Sequence, residues 1–173
     1  FSDNSTNLDT KFLLEQHFNK DMNLFSYKKR DNLSSTEHFK IMLKEVDTEF
    51  VVFFHDDDIL EPDYLVTAFE IFAKNNDVSA IGFNARLINA NNEFLRNLNS
   101  KYFMKDIKIY EKNHFYNYFY NRNLIKPSPF PSYIYKTKFL EKSLGKNKHD
   151  DVSFVAQCLN GGNIFWSKEI KIS

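Results

Sequence analysis

Apolar residues recur along the chain at two spacings, one suited to helices and one to buried strands. The opening Phe1-Ser2-Asp3-Asn4-Ser5-Thr6 reads as the end of a buried strand running into a polar turn. A strand needs neighbours, so we expect an apolar strand and helix upstream of Phe1. Residues 10–18 carry Phe12, Leu13, Leu14 and Phe18 on the spacing of a helical face. Leu24-Phe25-Ser26-Tyr27 predicts a short strand ahead of the basic cluster Lys28-Lys29-Arg30. Ser34-Ser35-Thr36-Glu37 supplies capping residues for a second helix bearing Phe39, Ile41, Met42, Leu43 and Val46. Phe50-Val51-Val52-Phe53-Phe54 has no polar alternation, which predicts a strand buried on both faces in the middle of a parallel sheet. It stops abruptly at His55-Asp56-Asp57-Asp58. Glu61-Pro62-Asp63 then opens a third helix whose apolar face is Tyr64, Leu65, Ala68, Phe69, Ile71 and Phe72.

Residues 78–83 predict another strand, extended by Ala85-Arg86-Leu87-Ile88 to a turn at residues 89–92. Pro127, Pro129 and Pro131 mark an irregular crossing, followed by the short strand Tyr133-Ile134-Tyr135 and a short helix at residues 138–144. His149-Asp150-Asp151 precedes a helix with Val152, Phe154, Val155, Cys158 and Leu159, which ends at Gly161-Gly162. Ile164-Phe165-Trp166 is a last strand. Strands alternating with helices predict an α/β fold with an open, mostly parallel sheet flanked by helices. No repeat or long linker divides the 173 residues, so we expect one domain.

Composition narrows the function classes. With 23 basic and 23 acidic side chains the chain lacks the basic excess of a general nucleic-acid binder. Its longest apolar run, five residues at 50–54, is too short to span a bilayer. The single cysteine, Cys158, excludes an internal disulfide framework and reads as core. Residues 101–126 differ from the rest, being both aromatic-rich and basic. Phe115, Tyr116, Phe119 and Tyr120 there have helical spacing and read as core, with a sugar-stacking or membrane-facing surface as the alternative.

The chemistry concentrates between Asp47 and Glu70, where eight acidic residues occur with no Lys or Arg. Asp56, Asp57 and Asp58 are consecutive at the mouth of an apolar strand, where ligands of open α/β sheets bind. Adjacent carboxylates repel, more so when partly buried, so a proton, a basic group or a divalent cation must compensate. Hard oxygen ligands of this kind suit Mg²⁺ or Mn²⁺ with diphosphate oxygens completing the shell. The plain alternative is a solvated acidic turn, with Asp58, Glu61 and Asp63 as charges favoured by the following helix.

The run from Phe50 through His55-Asp56-Asp57-Asp58-Ile59-Leu60-Glu61-Pro62 to Leu65 resembles the metal-binding signature of family 2 glycosyltransferases. Ser2-Asp3-Asn4-Ser5 is similar to the end of that family's second strand, and Asp150-Asp151-Val152-Ser153-Phe154 to its late Glu-Asp motif. The resemblance implies the GT-A fold, lacking its N-terminal strand and helix here, with residues 1–95 as the nucleotide-binding part and 96–173 as the acceptor-binding part. It implies an inverting, metal-dependent transferase that moves a sugar from a nucleotide-diphosphate donor, most commonly a UDP-sugar, to a saccharide or lipid-linked acceptor. Asp57 and Asp58 would hold Mn²⁺ or Mg²⁺. Asp56 and Arg30 would lie near the nucleotide, Asp3 would contact its base, and Asp151 would be the catalytic base. The family commonly has Asp where His55 stands, and His55 reads as packing locally.

Asn and Lys richness is compatible with a bacterial surface-polysaccharide enzyme, cytoplasmic and peripheral to the inner membrane face where the acceptor is lipid-linked. For Asp3 the alternative is an Asx turn, and for Asp151 a helix N-terminal charge. Two other functions compete: a phosphotransferase using Asp56 as nucleophile, and a non-catalytic sugar-nucleotide or carbohydrate-binding fragment.

Overall fold

A computed structural model describes residues 1–18, 26–98, 105–121, 127–140 and 150–173. The sequence-predicted features at residues 24–25, 101–104, 122–126 and 141–149 lie outside the described residues. Two compact units divide the chain, the first comprising residues 1–46 and the second the described residues from 47 onward.

In the first unit, β1 (Ser2–Asp3) pairs in parallel with β2 (Lys28–Lys29), so Asp3 lies opposite Lys29. The strand thus follows Tyr27 rather than ending there. The Asn4 side chain ties the turn after β1 to Leu33, donating to its carbonyl at 2.7 Å and accepting from its N–H at 2.8 Å. α2 (Ser35–Glu45) starts with the expected capping box, in which Ser34 and Glu37 satisfy each other's backbone N–H groups. α1 (Asp9–Phe18) buries only Leu14 of its predicted face, while Phe12 and Leu13 stay exposed. Three successive residues sweep about 200° around a helix, more than one neighbouring layer covers.

The second unit is built on a six-stranded sheet. β3 (Phe50–Val52) pairs with β7 (Tyr133–Lys136), β7 with β4 (Val78–Ile88), β4 with β8 (Asn163–Ile172), and β8 with β6 (Ile107–Ile109), while β5 (Phe94–Asn97) hangs on the far half of β4. Helices flank this sheet, as the alternation predicts. Its directions are more mixed than expected: β4 and β8 run parallel, whereas β7 runs antiparallel to both β3 and β4. β3 is also an edge among the described strands, and its three residues are half-buried rather than central. The chain leaves the ladder after Val52, so Phe53 turns into the core and Phe54 into solvent.

Alternating side chains sort the two faces. Ile81, Phe83 and Ile134 pack against Tyr64, Ala68 and Phe72 of α3 (Tyr64–Lys74). On the opposite face Tyr133 and Tyr135 stack at 5.8 Å, and Tyr135 meets Phe154 of α5 (Asp150–Gln157) edge-on at 5.3 Å. Gly82 makes room there, since a Cβ would approach the Tyr133 ring and Ser128 to 2.7 Å. Trp166 donates its indole N–H to the Tyr133 hydroxyl at 2.7 Å and packs against Phe115 of α4 (Lys112–Tyr120). Among the described residues no helix is long and apolar enough to cross a membrane.

Candidate active site

The acidic turn is clamped on its far side. Ile59 and Ser173 exchange backbone hydrogen bonds of 2.7 and 2.9 Å, and the Glu61 N–H donates to the Lys171 carbonyl at 2.9 Å. The last three residues of the chain thereby hold residues 59–61 as a short extra strand edge. The same clamp separates the acidic residues into two classes. Asp63 pairs with the nearly buried Lys171 at 2.6 Å, and Glu61 pairs with Arg86. Both charges are neutralised where α3 begins.

Asp56, Asp57 and Asp58 have no such partner among the described residues. Among the described residues the cation-forming group at hand is His55, whose Nδ1 lies 3.7 Å from Asp58 Oδ2. That oxygen is buried and accepts no hydrogen bond. Burial, reinforced by the charges of Asp57 and Asp56, raises the Asp58 pKa above the usual carboxylate value, and His55 opposes that rise. His55, Asp57 and Asp58 each offer a ligand atom, and these atoms lie within 4.8 Å of one another. Two carboxylates, one of them with a buried and orphaned oxygen, and one imidazole fit a divalent cation. Asp56 lies outside this trio, exposed on the turn.

The His55 ring leans on Phe130, with centroids 6.1 Å apart. Phe130 in turn lines a cavity of about 400 Å³. Its walls are Phe115 and Phe119 of α4, residues 127–130, Tyr133, and Asp151, Val152 and Val155 of α5. Asp151 is exposed in the first turn of α5, where the helix dipole favours a carboxylate, while Val152, Phe154 and Val155 behind it are buried. A carboxylate at the rim of an aromatic-walled hollow can accept a proton from a bound hydroxyl group.

Asp3 is different. It is 7% exposed, and both carboxylate oxygens are engaged. Oδ2 accepts from the Tyr27 hydroxyl at 2.7 Å and from Lys29 Nζ at 3.2 Å, and Oδ1 accepts from the Ser5 N–H at 2.8 Å. The Tyr27 hydrogen bond above all, with those from Ser5 and Lys29, holds the Asp3 pKa far below the ordinary value. The Ser5 contact is the Asx turn raised as the alternative for this residue. Arg30 is likewise committed, donating to Ser2 Oγ at 3.0 Å and to Glu45 at 2.7 Å.

A family profile described as "Glycosyltransferase like family 2" matches residues 18–116. The chain belongs to this family. That membership displaces the aspartyl-phosphotransferase alternative. Among solved structures the chain is similar to S. aureus TarS 1-349, with a TM-score of 0.69 and 15% identity over 99% of this chain and 49% of that one. It is also similar to a second crystal structure of S. aureus TarS, with a TM-score of 0.67 and 16% identity over 99% of this chain and 29% of that one. At this identity the likeness shows the GT-A-like fold alone. The chain spans half or less of the length of these neighbours. No curated protein matches it.

For this family 2 chain, sequence reasoning placed the carboxylate turn at the end of an apolar strand, and the structure brings Asp57 and Asp58 together there. It missed His55 as their neighbour and Phe130 as the ring linking the turn to the cavity. His55 had one signal, its place where the family commonly has Asp. Phe130 had none, because it lies about 75 residues from His55 and only folding joins them.

Proposed function

We propose that the protein is a metal-dependent, inverting glycosyltransferase. Its substrates are a nucleotide-diphosphate sugar, commonly a UDP-sugar, and a saccharide or lipid-linked acceptor of bacterial surface-polysaccharide synthesis. Family membership supports transfer chemistry. The observation that carries the finer reading is Phe130, whose ring meets His55 of the carboxylate turn and lines the cavity that holds Asp151. A charged donor site and an apolar hollow with a base at its rim are thus contiguous.

In this reading Asp57 and Asp58 hold Mn²⁺ or Mg²⁺, and Asp56 hydrogen-bonds the ribose or a metal-bound water. A divalent ion, when bound, supplies charge neutralisation to the departing diphosphate. The acceptor lies in the cavity against Phe119 and Phe130. Asp151 takes its hydroxyl proton as the oxygen bonds to the anomeric carbon, and the bond from that carbon to the diphosphate oxygen breaks on the opposite side. Asp3 keeps one lone pair on Oδ1, enough to accept one nucleobase N–H, and Arg30 follows directly on Lys29, the residue paired with Asp3 between β1 and β2. The protein is cytoplasmic in this reading, and a lipid-linked acceptor would bring it to the inner face of the membrane.

Calorimetric titration with UDP, with and without Mn²⁺, tests this. We expect binding that needs the metal and that Asp57→Ala abolishes while circular dichroism stays unchanged. Asp151→Asn is expected to keep nucleotide binding and to lower turnover about 10²- to 10⁴-fold. Transfer activity that survives Asp57→Ala overturns the ligand assignment. Joint loss of binding and turnover in Asp151→Asn makes that residue structural.

A further inference from the structure

We propose that His55 is a third, nitrogen ligand of the cation site, and that it tilts the site towards Mn²⁺ and Co²⁺ and away from Mg²⁺. This rests on the reading of Asp57 and Asp58 as cation ligands. The imidazole is not a neutral bystander on the loop. Phe130 supports its ring from one side, which leaves Nδ1 turned toward Asp58 Oδ2 at 3.7 Å. That separation is too long for a hydrogen bond and suits two atoms sharing one ion, since ligands about 2.1 Å from a metal stand roughly 3–4 Å apart.

Asp58 Oδ2 is shielded from water and accepts no hydrogen bond, so among the described residues it has no other compensation for its charge. Asp57 supplies the third atom of the trio within 4.8 Å, and as an exposed side chain it closes the remaining distance by rotation. The rest of the shell faces solvent, open to water and to diphosphate oxygens. Mg²⁺ prefers an all-oxygen octahedron and gives up water reluctantly, whereas Mn²⁺ and Co²⁺ accept imidazole readily. One nitrogen among the protein ligands therefore discriminates between metals that an all-carboxylate turn would treat more alike.

The test uses the whole, tag-free chain loaded with Mn²⁺, compared with His55→Asp and His55→Ala. Pulsed electron paramagnetic resonance should show a ¹⁴N coupling from imidazole in the wild type that both variants lose. Competitive titration should show the Mn²⁺-over-Mg²⁺ preference falling about tenfold in His55→Asp, where an oxygen replaces the nitrogen. His55 is half exposed, so both variants should fold, and circular dichroism checks it. Mn²⁺ that binds through Asp57 without a ¹⁴N coupling, or an unchanged metal preference in His55→Asp, overturns the His55 proposal alone. Mn²⁺ binding that is absent, or indifferent to Asp57→Ala, overturns the cation site and this proposal with it.

Discussion

Asp3 and Asp58 are the same residue type, one the last residue of the short strand β1 and the other in the turn that follows β3, yet their surroundings are opposite. Asp3 lies in a closed network that satisfies both of its oxygens from Tyr27, Ser5 and Lys29. Asp58 has a buried oxygen with no hydrogen bond and two like charges as chain neighbours. The first carboxylate is held ionised, and the second resists ionisation. A satisfied buried charge is architecture, whereas an unsatisfied one stores a preference for a ligand that brings positive charge. The contrast separates the residue that organises the β1 turn from the residue poised for a cation.

Removing Asp3 should show the largest effect on stability. Asp3→Ala strips the acceptor from three donors, and we expect hydrogen exchange at the Arg30 amide, bonded to the Asp3 carbonyl, to quicken about 10- to 100-fold. Tyr27→Phe should act in the same direction more weakly, because Ser5 and Lys29 still serve the carboxylate. An Asp3→Ala protein with unchanged exchange would break the comparison. The pH dependence sharpens it. The lowered pKa of Asp3 means its stabilising contribution is complete above the unfolded carboxylate value of about 4 and fades as pH falls through the lower folded value. Asp58 behaves inversely, its folded form binding the proton more firmly, so its contribution is lost as pH rises from about 4 through the raised folded value. Asp58→Asn should therefore raise the melting midpoint at pH 7, by about 1–2 °C. Mn²⁺ should raise the wild-type midpoint and leave that of Asp58→Asn unmoved, as a ligand that binds only the native form requires. A lowered midpoint in Asp58→Asn without metal would show that the carboxylate is already compensated.

Much of the fold was legible because local signals agreed. The capping box at Ser34 and Glu37, the apolar face of α5 and the long strand through Val78 to Ile88 appear where the pattern places them, and α3 buries Tyr64, Ala68 and Phe72 of its predicted face while Leu65 and Phe69 stay exposed. β5 and β6 were not anticipated, since Phe94–Asn97 and Ile107–Ile109 are short and only partly buried, and pairing with β4 and β8 defines them. Among the described strands β3 lies at an edge and not at the centre expected for it, for a related reason. Its unbroken apolar run marks burial, but which strand lies beside it, and in which direction, depends on chain reversals far away.

The site divides in the same way. Consecutive residues fixed by covalent bonds cannot avoid one another, so the triple carboxylate and its missing counter-charge were evident from the order of residues alone. Whether each acidic group keeps its charge unpaired was decided by the fold, which brought Lys171 to Asp63, Arg86 to Glu61 and neither to Asp58. The hollow bearing Asp151 likewise exists only because α4, α5 and the proline-rich crossing converge on Tyr133 and Phe130. Composition and order determine which charges must be answered, and only the meeting of distant segments determines what answers them.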